Sequence, residues 1–261
     1  MTTNYKAWSS TAAKGNRTDH LLDHATGRYA DTETVLINGG NDDVGTGAFE
    51  AVTDSGTLNF LTSEDTIRVA SGGNAADDAA GAGARTILCT GLDDNFNPVT
   101  ATLTTAGGSA SSSSTSSFRR LLTATVMTTG TDHTANTGDI VIESTGGTAL
   151  GTIPAGLGKL QNAAYCVKAG YTAYLRRIIT QIDSGKGATT RAIIADATQT
   201  SAPFGKVFAP GRIIGLQGNQ ELLFQTLTAI PEKHDFWFEA IASGASATEV
   251  VVAFDLLLVE D

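Results

Sequence analysis

The chain has 261 residues and a formal charge of −10, with 17 Lys and Arg against 27 Asp and Glu. That length buries an ample core without metal or disulfide support, and the acidic balance, with no long basic block, argues against nucleic acid as a direct partner. Abundant Gly, Thr, Ser and Ala favour strands and turns over amphipathic helices, and no run approaches the roughly 20 apolar residues of a membrane span.

Residues 1–45 are polar, mixed in charge and without sustained strand alternation. Asp19–His24 reads as a short helical turn, Thr34–Ile37 as a short strand, and Asn38–Asp43 as a turn. The segment is expected to be an extended arm that packs on a neighbouring subunit, because alone it buries too little to hold itself in place. Met1–Trp8 lacks the basic start and apolar core of a secretory signal, so a soluble protein made in a cytoplasm is expected.

Residues 46–150 read as a β-rich region. Thr66–Ala70, Arg85–Thr90 and Val99–Leu103 alternate at period two, and Gly91–Pro98 turns the second of these into the third as a hairpin. Ser109–Ser117 is low in complexity and polar, which predicts a mobile surface loop before a strand over Phe118–Met127. Asp139–Glu143 is a further strand. Residues 151–162, with Gly151, Pro154, Gly156 and Gly158, read as a linker.

Residues 163–261 carry the spacing of a jelly-roll-like sandwich, with strands near 163–169, 172–182, 190–195, 206–215, 221–228, 235–241 and 248–259. In the last strand Val250, Val252, Phe254, Leu256 and Leu258 make one wholly apolar face, which belongs in the core. Val251, Asp255, Leu257 and Val259 lie on the other, which a partner would cover in part. The fold class is therefore all-β, an antiparallel sandwich behind an N-terminal arm, with helix confined mostly to the first 45 residues.

The chemistry-bearing motifs fail at specific positions. Asp93, Asn95 and Asn97 alternate like calcium ligands, but Pro98 and Thr104 stand where Gly and Glu are needed, so a hairpin turn explains them. His20 and His24, beside Asp19 and Asp23, lack the Glu of a zinc-protease helix because Leu21 follows His20. Ser184–Gly187 lacks the first glycine and the Ser or Thr of a phosphate loop. Gly39 to Gly47 and Gly81 to Gly83 lack the strand and helix context of dinucleotide binding. His133 and His234 have no evident nucleophile partner. No catalytic residue, cofactor or metal is assigned. Cys89 and Cys166 sit in apolar runs and read as buried thiols. Trp237, between Phe236 and Phe238, reads as core or subunit packing. Arg119–Arg120 and Arg176–Arg177 read as surface or interface salt links, each pair split between two sheet faces.

Five phrases in order carry a resemblance. They are Asp77–Asn97 (DDAAGAGARTILCTGLDDNFN) followed by Val99–Leu103, then Asn136–Ile140 (NTGDI), Val167–Gly170 (VKAG) with Tyr174 and Leu175, and Ile230–Asp235 (IPEKHD). Together they resemble virion structural proteins of tailed bacteriophages, many of them aquatic, over most of residues 66 to 259. Lys168 and His234 depart from that pattern, where Pro and Thr would be usual, and both lie at turns. The resemblance implies a virion-located structural component, foremost a capsid-associated decoration or cement protein. It would partner copies of itself, with a trimer slightly favoured, and other virion proteins such as the major capsid protein, without membrane or direct nucleic-acid contact. A major jelly-roll capsid subunit, a tail component or a receptor- or glycan-binding virion module are the alternatives, with a cell-wall hydrolase behind them.

Overall fold

The computed structural model describes residues 31–131, 135–199, 206–244 and 247–261. Those residues form fourteen strands and no helix. The strands are β1 (Thr32–Val44), β2 (Glu50–Ala51), β3 (Asp65–Val69), β4 (Ala84–Leu92), β5 (Pro98–Thr104), β6 (Ser117–Phe118), β7 (Arg120–Thr129), β8 (Ile140–Ser144) and β9 (Ala149–Ile153). They continue with β10 (Ala164–Cys166), β11 (Tyr171–Asp196), β12 (Lys206–Ile230), β13 (His234–Ala242) and β14 (Thr248–Glu260). All the paired strands run antiparallel. The all-β, sandwich-like class is as expected.

The larger lobe is organised by one 26-residue strand. Along one edge β11 pairs with β12; along the other it pairs first with β14, over Tyr171–Ile182, and then with β13, over Ala188–Asp196. The register against β12 shifts between Ile182 and Gly187, where Gly185 takes φ 80°, so the β11–β12 ribbon bends there and passes from one sheet to another. The seven strands make one continuous sheet that folds over into two halves, a first sheet β12-β11-β14-β1 and a second β12-β11-β13-β10, with β2 also on β13. Their inner faces meet in a core where Phe236 and Phe238 of β13 pack on Phe254 of β14, with ring centroids 5.4 and 5.3 Å apart. Val250, Val252, Leu256 and Leu258 are buried in the same core, as the alternation of the last strand requires.

The smaller lobe spans residues 65–160 and enters between β2 and β10. A four-stranded sheet β6-β3-β8-β9 faces a three-stranded sheet β5-β4-β7 around Ile67, Ile87, Phe118, Ile142 and Ile153. β4 and β5 form the expected hairpin, and the Asp93 carboxylate at its turn accepts from the Asn95 and Asn97 amides at 2.8 and 2.9 Å. That closes an Asx turn in which Phe96 adopts φ 65°.

Four expectations are corrected. Residues 32–44 of the expected arm form β1, paired with β14 from Thr32↔Val259 onward, because Val35 and Ile37 find a core that the short segment lacks by itself. Gly39 is needed there: a Cβ would collide with the backbone of Asn162 and Ala163. Residues 1–30 of the arm, with Asp19, His20, Asp23 and His24, lie outside the described residues, as does His133. The stretch 151–162 is no bare linker, since β9 runs into it and Leu160 is buried in the smaller lobe, its amide donating to the Ala124 carbonyl. Nor does the serine segment hang free. The Ser111 and Ser114 hydroxyls accept from the Val69 and Ile67 amides at 2.9 and 3.0 Å, so the segment lies along the edge of β3. Finally, the pairs of strands expected at 172–182 and 190–195, and at 206–215 and 221–228, are each one continuous strand.

Candidate functional site

Two features gather the polar and exposed side chains that the core does not use. One is a buried arginine pair between the lobes. The other is a sheet face that the described residues leave uncovered.

Arg119 and Arg120, at the bend from β6 into β7, are both turned inward rather than split between two faces, and each is 6 % exposed. Arg120 Nε and Nη2 donate to the two carboxylate oxygens of Asp235 on β13 at 2.8 and 2.7 Å, and Nη1 donates to the Leu61 carbonyl at 2.7 Å. This planar two-point contact joins the smaller lobe to the larger one, and Asp235 is itself only 1 % exposed. The Arg120 guanidinium also lies over Phe60, which packs edge-on against Trp237 at 5.5 Å. Arg119 pairs with Asp94, donates to the Ala197 carbonyl at 3.0 Å and lies over Phe96. The pair is thus an internal clamp, and the expected surface links are corrected.

The clamp uses up the chemistry around it. Cys166 is buried beside Asp235, and burial, with the nearby carboxylate, pushes its thiol well above the usual range. Burial likewise raises the Cys89 thiol to about 12. Both cysteines are free, as expected, and neither thiol is a nucleophile at neutral pH. His234 Nδ1 lies 2.8 Å from the Glu232 carbonyl, and no nucleophile stands among its recorded partners. Among the described residues no three of His, Cys, Asp and Glu come together as metal ligands.

The two sheets of the larger lobe differ in what covers their outer faces. On the second sheet Ile193, Ala195 and Trp237 pack under Leu58, Phe60 and Ala164, and Arg191 pairs with Glu239 beneath Phe49. Trp237 is therefore packing, as its neighbours suggested, and its indole donates to Glu239. On the first sheet the outer rows read Leu36–Asp255–Arg177–Leu223 and Thr34–Leu257–Tyr174–Ala229, flanked by Val251, Ala253, Val259 and Ile179. Leu36 and Leu223, on the two outer strands, are 63 % and 65 % exposed, while Val251, Ala253, Asp255, Leu257 and Val259 of β14 between them are partly buried. Arg177 is centred on it, held to Asp255 at 2.8 Å and Glu221 at 3.5 Å. Two leucines this exposed, at the ends of one row across four strands and beside the partly buried Val251, Leu257 and Val259, make an apolar patch of the kind that often meets a partner.

No protein-family model matches the chain, and no curated protein does. Among solved structures, one described as the structure of infectious bursal disease virus Gx strain aligns with 14 % identity and a TM-score of 0.26, over 88 % of this chain and 69 % of that one. At that score the likeness establishes neither a shared fold nor a shared role. The alternation of β14 separated its core face from its second face in advance; the burial of Arg119 and Arg120 carried no sequence signal, because Asp235 lies 115 residues from Arg120.

Proposed function

We propose that the chain is a structural component of a virus particle, a capsid-associated decoration or cement protein of a tailed bacteriophage that acts through contacts between copies of itself and with the shell. The observation that carries the reading is the outer face of the first sheet, where exposed Leu36 and Leu223 flank the Asp255–Arg177 pair. A cement protein works by presenting such a surface from a rigid body, and the clamp of Arg120 on Asp235 gives the two lobes a fixed mutual position. The ordered phrases from Asp77 to Asp235 support the family, and the acidic charge suits a partner other than nucleic acid.

The glycan-binding alternative needs displayed aromatics, and among the residues whose side chains are described the large exposed apolar ones are Leu36, Met127, Leu157, Leu222 and Leu223, none of them aromatic. The test is co-purification. Particles from the source that encodes the chain are banded on a density gradient and digested for mass spectrometry. Peptides of this chain should follow the particle band at a fixed ratio to the major shell protein. Recovery only from particle-free fractions would contradict the proposal.

A further inference from the structure

We propose that the open face of the first sheet is a docking site for residues 1–30 of a neighbouring copy, so that copies exchange their N-terminal segments. The inference rests on the self-association proposed above and names the surface and the occupant.

Three observations select that occupant. The first is charge. Residues 1–30 hold Lys6, Lys14, Arg17 and Arg28 against Asp19 and Asp23, a balance of +2, which leaves −12 of the chain's −10 on the remainder. Among the described residues this face carries Asp255, Glu221 and Glu249 around Arg177, an acidic excess by which two such faces would repel each other while the basic segment would be drawn to either. The same segment supplies apolar anchors in Tyr5, Trp8, Leu21, Leu22 and Tyr29 for the exposed leucines to meet.

The second is direction. β1 is the edge strand of this sheet, and its first pair is Thr32↔Val259, with the Glu260 amide still donating to the Asp31 carbonyl. At Asp31 the strand therefore points off the end of the sheet. Continued in that direction, the chain would run past the rim of the face toward a neighbour, and a return onto its own face would need a reversal. Thirty residues extended reach at most about 100 Å, ample to cross an adjacent subunit.

The third is area. Four strands at about 4.8 Å spacing and about ten residues of about 3.3 Å each give a face of about 600 Å². That is short of the roughly 800 Å² per partner that a stable interface uses. A reciprocal exchange buries two such faces and exceeds it, so the segment makes a lasting contact when it is swapped in both directions.

The experiment places a photo-crosslinking amino acid at Leu257 or, separately, at Leu36 of the full chain. Protein grown in heavy nitrogen is mixed with unlabelled protein, unfolded and refolded together, irradiated and mapped by mass spectrometry. The expected products join the face to peptides from residues 1–30, with heavy and light partners paired as often as chance allows. Removal of residues 1–30 should abolish these products and weaken self-association by at least about tenfold. Crosslinks confined to same-label pairs would show the segment folding back on its own copy and overturn the proposal. So would face-to-face crosslinks, or an undiminished oligomer without the segment. An oligomer held by another surface would leave the virion role standing, since that role is read from particle co-purification.

Discussion

At the residue scale the lobes are held by a buried charge pair, and such pairs are asymmetric in their energetics. Two charges matched in good geometry roughly offset their desolvation, while one left alone in the interior does not. Replacing Arg120 by Met should therefore cost about 3–5 kcal/mol in urea unfolding by stranding Asp235, and the double change R120M/D235L should recover most of that loss. Equal loss in the single and double variants would mean that Arg120 acts mainly through Leu61 and Phe60. A second carboxylate sets an acid limit. The Thr145 hydroxyl, with the Gly146 and Thr66 amides, holds the Asp65 carboxyl below its ordinary 3.8. A lowered folded value means that stability is present above pH 3.8 and is lost as pH falls through the lowered value. Wild type should thus unfold at a higher temperature than Asp65→Asn near neutral pH, and the gap should close in acid below pH 3.8; a gap that stays constant with pH would remove Asp65 from this role. Neither feature was legible beforehand, because both depend on partners brought together from distant parts of the chain, Asp65 with Thr145 and Arg120 with Asp235.

At the element scale, periodicity was readable and continuity was not. The final strand buries Val250 through Leu258 at every second position because alternation is a property of the strand itself. The Ser184–Gly187 break, by contrast, resembles a turn in composition yet is a bend inside β11, held because both arms of the bend pair with β12. The polarity of Ser109–Ser117 suggested a loop, and the segment is instead pinned along β3 by its own hydroxyls. Ser111→Ala and Ser114→Ala should each cost about 1 kcal/mol, Ser111 the more because it is buried and its loss strands the Val69 amide. Unchanged unfolding midpoints would show that water replaces these contacts without penalty. The arm divides in the same way. Deletion of residues 1–30 should leave the β structure folded, whereas deletion of residues 1–45 removes β1, bares the edge of β14 and should give an aggregating or markedly less stable protein. Comparable near-ultraviolet spectra and unfolding midpoints for the two deletions would contradict the place given to β1.

At the scale of the whole molecule, one lobe inserts into the other, and of the two outer faces of the larger sandwich only the second is covered by the described residues. The sheet class and the apolar second face of β14 could be read from alternation alone. Which face stays open could not, because it depends on where the inserted lobe sits, and that is fixed by Arg120, Phe60 and Trp237 acting across the fold. The most direct test is a cryo-electron microscopy map of intact particles from the source that encodes the chain. The account predicts density for many symmetry-related copies, each fitting the two-lobed body, with Leu36, Leu223 and Leu257 against a neighbouring chain. Particles without such density, or copies whose first-sheet face looks into solvent, would contradict it.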